Sequence, residues 1–130
     1  MNLQGRKIVL NKSVSELLTL LKDPKKYEEI MPEGLQKFEY WENGFKFGLK
    51  GLPEISLKLG EITDKKATLV SASSSLDFEL ATHLHPLDAE KTEVSLEFNG
   101  KFNPFIKMMV EKPLKNFMEA LTDKIESMFG

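Results

Sequence analysis

Two histidines stand two residues apart in the run His83-Leu84-His85, and carboxylates lie close to them in sequence at Asp77, Glu79, Glu93 and Glu97. On an extended strand, residues two apart share a face. A hairpin would bring Glu93 and Glu97 across to the same face as His83, His85, Asp77 and Glu79. Imidazole and carboxylate together are a metal-ligand set. The alternation around them argues otherwise: Leu80, Thr82 and Leu84 occupy the intervening positions and claim the inner face. The histidines are therefore expected to point outward and to make ordinary sheet-surface pairs with glutamate, and no metal site is expected.

Acid-base chemistry needs titratable groups where water is excluded. Arg6 is in phase with Ile8 and Leu10, Glu42 is in phase with Phe45 beside a turn, and Glu61 follows Gly60. Each can reach solvent from a strand end or loop. Tyr40 and Thr82 fall in phase with apolar neighbours and are the better candidates for polar handles inside a pocket. No nucleophile elbow, zinc-protease helix, phosphate loop or dinucleotide fingerprint is present. The glycines of GFKFGLKG sit in a hairpin pattern and make no phosphate loop. No cofactor is implied.

The 130 residues fit one domain, 1–130, with a self-sufficient core. Cysteine is absent, which excludes disulfides and thiolate metal sites. The 18 basic and 20 acidic residues are interspersed, leaving a net charge of -2 and no basic face for nucleic acid. No run resembles a leader or a membrane span, so a cytoplasmic address without stable membrane insertion is expected.

The elements that must position these groups follow from periodicity. GRKIVL reads as a first strand. Ser13 and Glu16 form a capping box for a helix striped by Val14, Leu17, Leu18 and Leu21. Asp23-Pro24 starts a second short helix with Tyr27, Ile30 and Met31 on one side. FEYWENGFKFGL reads as a hairpin turning at Asn43-Gly44, a pair suited to a type I′ turn. That turn would oppose Tyr40 to Phe47 and Phe38 to Leu49, with Trp41, Glu39 and Lys37 on the other face. Ile55, Leu57 and Leu59 alternate in the next strand, and Gly60 suggests a bulge. The facing of KATLVSAS stays open. Phe78, Leu80, Thr82 and Leu84 share one face, as do Val94, Leu96, Phe98 and Phe102. The parity of these two strands matches if Leu84 opposes Val94.

Asn103 caps, and Pro104 begins, a final helix to about Phe129. Beyond Pro113 its apolar residues, Leu114, Phe117, Met118, Leu121, Ile125, Met128 and Phe129, fall within about 120° of arc. Before Pro113, Phe105, Ile106, Met108, Met109 and Val110 cover about 200°. The first half should thus meet apolar surroundings on more than one side. Pro113 cannot donate to the Met109 carbonyl and should bend the helix there. Met109 is expected to line a cavity; the competing reading is that both methionines fill core gaps.

Two segments, SVSELLTLLKDPKKYEEIMPEGLQKFEY and FNPFIKMMVEKPLKNFMEAL, together with the order of elements, resemble the START-like superfamily, also called SRPBCC. It includes polyketide cyclases, plant pollen-allergen proteins, lipid-transfer domains and coenzyme-Q-binding proteins. The resemblance implies an α+β helix-grip fold: a curved antiparallel sheet of six to seven strands, two short helices and a long C-terminal helix. It also implies an apolar or amphipathic small molecule held between sheet and helix, whether lipid-like, polyketide-like or isoprenoid-like. The expected lining is Phe38, Tyr40, Phe47, Leu57, Phe78, Leu80, Thr82, Leu96, Phe98, Met109, Val110 and Phe117. The same fold carries enzymes and protein-interaction modules. An inward carboxylate or arginine would favour a cyclase or hydrolase; Trp41 on the outer sheet face could seed a protein contact. The sequence names no protein partner.

Overall fold

In the computed structural model, which describes residues 1–73 and 76–130, the strands are β1 (Asn2–Gln4), β2 (Ile8–Leu10), β3 (Leu35–Trp41), β4 (Gly44–Leu49), β5 (Ile55–Ile62), β6 (Lys66–Ser71), β7 (Asp77–Pro86) and β8 (Thr92–Lys101). The helices are α1 (Val14–Leu21), α2 (Tyr27–Ile30), preceded by a single tight turn at Pro24–Lys26, and α3 (Pro104–Phe129). All strand pairs are antiparallel, in the order β1-β8-β7-β6-β5-β4-β3, with β2 also on β8. The three helices and the curved sheet make the α+β helix-grip architecture.

The caps are those the sequence encodes. Ser13 and Glu16 bond reciprocally at the start of α1, Asp23 accepts from the Lys25 N–H, and Asn103 accepts from the Ile106 N–H. Each satisfies a backbone donor that the first helical turn leaves unpaired. Leu17, Leu21, Tyr27, Ile30 and Met31 are buried beneath these short helices. Leu84 opposes Val94, which puts Leu80, Leu84, Val94, Leu96 and Phe98 on the core face. Ala67 pairs with Thr82 and Leu69 with Leu80, so Ala67, Leu69 and Ser71 face inward. The bulge falls where Gly60 suggests it: Leu59↔Leu69 is followed by Ile62↔Ala67, one residue longer on β5.

Two local readings are corrected. The loop of the first hairpin is Glu42-Asn43, and Gly44 lies in β4 opposite Trp41. The register therefore sets Tyr40 against Phe45 and Phe38 against Phe47; the faces are as read, the partners slide by two. Gly44 is needed for space, because a Cβ there would fall 2.4 Å from the Leu57 carbonyl and 2.8 Å from the Trp41 indole nitrogen. Among the described residues only Gly34 and Gly51 have positive φ, so the turn is not type I′. The first strand is also two. Leu3 pairs with Phe98 but Ile8 with Val94, which leaves one extra residue in Gly5–Lys7. Gly5 donates to the Leu96 carbonyl at 2.8 Å, and Arg6 swings out to Asp123 at 2.6 Å and Glu126 at 3.0 Å on α3. These two carboxylates push the guanidinium pKa further above its ordinary value, through hydrogen bonds to Glu126 and then Asp123.

At the centre, rings stack in a column. Tyr27 lies 4.6 Å from Phe45, Phe45 6.1 Å from Phe47, and Phe47 5.5 Å from Phe117, tying α2, β4 and α3 together. The Tyr27 hydroxyl donates to the Leu21 carbonyl at 2.8 Å, and burial holds the phenol neutral well above its usual range. A glycine pair tests the hairpin packing. Gly44→Ala should cost about 1–3 kcal/mol, because the new methyl must displace backbone or indole. Gly48→Ala, whose Cβ would meet only the Lys37 side chain at 3.7 Å, should change stability by less than about 0.5 kcal/mol in chemical denaturation.

Candidate functional site

A second stack of rings runs along β7, β8 and the start of α3: Phe78 lies 5.3 Å from Phe98, and Phe98 6.2 Å from Phe102. Gly100 makes this possible, since a Cβ there would fall 2.6 Å from the Phe102 ring. Between the two stacks lies a cavity of about 60 Å³. Its floor is Phe47, Ile55, Leu57, Leu80 and the rings of Phe78 and Phe98. Its roof is Ile106, Val110, Leu114 and Phe117 of α3, and Leu52, Pro53, Leu76 and Phe102 close its rim. Every lining side chain is apolar, so among the described residues nothing at its wall can exchange a proton or hold a metal.

The structure brings seven of the twelve expected residues to this wall: Phe47, Leu57, Phe78, Leu80, Phe98, Val110 and Phe117. Leu96 is buried in the core and Phe38 stacks on Phe45 at 5.5 Å, away from the cavity. Thr82 lies on the inner face but borders a separate void of about 20 Å³ under α1, with Leu17, Leu21 and Ile125. Tyr40 shares the inner face with its partner Phe45 but is left uncovered. It lies near the end of the edge strand β3 and is 56% exposed, while Tyr27 stacks on its cross-strand partner Phe45. The tyrosine hydroxyl that is buried is that of Tyr27. Met109 is 62% exposed on the outer side of α3, so it lines nothing. The wide apolar arc of the first half is real, but only its Ile106–Val110 side meets the sheet. Seven lining residues, Leu52, Pro53, Ile55, Leu76, Phe102, Ile106 and Leu114, are not among those expected at the wall. Leu52 and Pro53 lie in a Gly-Leu-Pro loop and Leu76 precedes a strand, where no periodicity signals facing.

The remaining chemical candidates face solvent. His83 lies on the outer face with its Nε2 2.8 Å from Glu97, and Asn2 donates to the other Glu97 oxygen at 2.9 Å. Hydrogen bonds from Asn2, then His83, hold the Glu97 carboxyl below its usual pKa. Among the described residues no three His, Asp or Glu converge as a metal site. Glu61 pairs with Lys66 at 3.7 Å, and Glu42 is exposed in the hairpin loop. Among the described residues no helix is long and apolar enough to cross a membrane.

This architecture is the START-like, or SRPBCC, helix-grip fold, and solved structures of that fold superpose on nearly the whole chain. A conserved protein from Geobacillus kaustophilus aligns at 18% identity over 98% of this chain and 94% of its own, with a TM-score of 0.69. A START superfamily protein from Mycobacterium smegmatis aligns at 10% identity over 98% and 96%, with a TM-score of 0.66. Norcoclaurine synthase from Thalictrum flavum, solved in complex with dopamine and hydroxybenzaldehyde, aligns at 13% identity over 98% and 85%, also with a TM-score of 0.66. No protein-family model matches the sequence, and no curated protein matches it in a sequence search.

The placement of α3 gives a paired test. Leu121 is buried, so Leu121→Ala should cost about 2–5 kcal/mol. Met109→Ala should stay within about 0.5 kcal/mol of the parent in urea denaturation, as surface changes do. A loss at Met109 comparable to that at Leu121 would place its side chain in the core after all.

Proposed function

We propose that this chain binds an apolar or amphipathic small molecule in the cavity between the sheet and the first half of α3. The observation that carries this reading is a division of α3 at Pro113. Every fully buried residue of the helix lies beyond it: Leu114, Phe117, Met118, Leu121, Thr122 and Ile125. Before it, Ile106 and Val110 are only half-buried, and they sit over a wholly apolar space.

Size is the constraint. A space of about 60 Å³ admits a few heavy atoms, whereas pockets for drug-sized ligands measure about 300–1,000 Å³. Binding therefore requires the first half of α3 and the loop bearing Leu52 and Pro53 to move outward. Pro113 makes such a motion inexpensive, because the Met109 carbonyl already lacks a helical donor from it. The movable half buries little apolar surface, so lifting it costs far less than lifting the half seated by Phe117. A ligand that fills the enlarged space restores the lost contacts.

The absence of ionisable side chains from the described lining favours binding over acid-base catalysis. Norcoclaurine synthase illustrates that the fold also carries enzymes.

Native mass spectrometry of the purified protein should find a retained apolar molecule, or binding of an added apolar fluorophore. Ile106→Trp and Val110→Trp, which project into the cavity, should each weaken fluorophore binding at least tenfold. Met109→Trp, which projects to solvent, should leave it unchanged. Equal binding by all three variants would remove the cavity from the account.

A further inference from the structure

The three most exposed large apolar side chains of the described residues are neighbours: Met108 at 76%, Phe105 at 68% and Met109 at 62%. They stand three and four residues apart on α3 and so form one outward patch. Isolated apolar side chains on a surface are ordinary, but a contiguous patch marks an interaction site. Lys112 and Lys115 share this patch's side of the helix, and the segment as a whole is positive. Residues 101–116 contain four lysines, Lys101, Lys107, Lys112 and Lys115, and a single acid, Glu111. Among the described residues none of these four lysines makes an ion pair, whereas Lys12, Lys37, Lys46 and Lys66 each pair with a glutamate. Lys112 follows Met108 and Met109 by four and three residues, which puts a cation within the patch itself. Beyond residue 116 the helix reverses sign, with Glu119, Asp123 and Glu126 against Lys124. Arg6 neutralises part of that acidic end.

From this arrangement we infer that the start of α3 is a docking surface for an anionic lipid bilayer. Phe105, Met108 and Met109 enter the headgroup region, and the lysines hold the lipid phosphates. Long basic side chains flanking an apolar stripe suit that boundary, because their stems lie along the apolar layer while their charges reach the headgroups. A second copy of this chain fits less well. A two-fold contact would set the lysine cluster against itself. The chain's net charge of -2 means the attraction must be local, which orients the molecule with the helix start towards the membrane. The surface is distinct from the cavity wall, since Ile106 and Val110 point to the sheet while the patch points away. Docking therefore stands whether or not the cavity takes a ligand. It is peripheral, and compatible with the lack of a spanning helix among the described residues.

Co-flotation of the full chain with vesicles is the test. One set is pure phosphatidylcholine; the other is equal parts phosphatidylcholine and phosphatidylglycerol. The chain should float with the anionic vesicles only, and less as salt rises. Lys112→Gln with Lys115→Gln should weaken binding about fivefold per lysine. Phe105→Ser with Met108→Ser and Met109→Ser should weaken it at least tenfold while leaving the melting temperature and fluorophore binding intact. No binding to anionic vesicles overturns the inference. So does binding that both variants leave unchanged, or a concentration-dependent dimer that the serine variant alone dissolves.

Discussion

The ring column Tyr27–Phe45–Phe47–Phe117 is the contact on which the rest of the molecule depends. Phe45 and Phe47 are neighbours on one face of β4, and both are almost wholly buried. One ring meets α2 and the other meets α3, so a single strand sets the height of both helices above the sheet. Offset aromatic pairs contribute about 0.5–1.5 kcal/mol beyond their buried area. The greater effect is geometric, since flat rings allow few packing angles. Phe117 fixes α3 past Pro113 and leaves the turns before it to Ile106 and Val110 alone. The second stack, Phe78–Phe98–Phe102, belongs to other strands and does not close against the first. The cavity is the space between the two stacks.

What the sequence discloses, and what it hides, follows from the range of each interaction. Caps at Ser13 and Asn103 and the alternation in β7 and β8 depend on residues a few positions apart, and they are legible as written. The hairpin faces are legible for the same reason. Its register is not, because Gly44 is required by the Leu57 carbonyl and the Trp41 ring; an Asn-Gly pair looks identical whether it makes the turn or only borders it. Asn2–Gln4 escapes notice because three residues carry no period, and the strand exists only through its pairing with β8.

The candidate site shows the same division. Strand residues expected at the wall mostly reach it, since period two fixes their facing. Tyr40 fails for a different reason: facing inward by phase does not ensure that anything covers the residue. β3 is an edge strand, and Tyr40 near its end is more than half exposed. On α3 the arc of apolar residues merges two faces into one. Ile106 and Val110 roof the cavity, while Phe105, Met108 and Met109 look outward. A helix that is apolar on opposite sides has two environments to satisfy, and only the sheet supplies one of them within the chain.

The central claim is that α3 consists of a seated half and a movable half, joined at Pro113, with the movable half covering the ligand space. Amide hydrogen exchange resolved along the helix tests it most directly, because local opening reports its own free energy. Amides from Met108 to Lys112 should exchange at least tenfold faster than those from Phe117 to Ile125. An apolar ligand in saturating amount should slow the first group and leave the second unchanged. Uniform protection along α3, unaffected by ligand, would contradict the account.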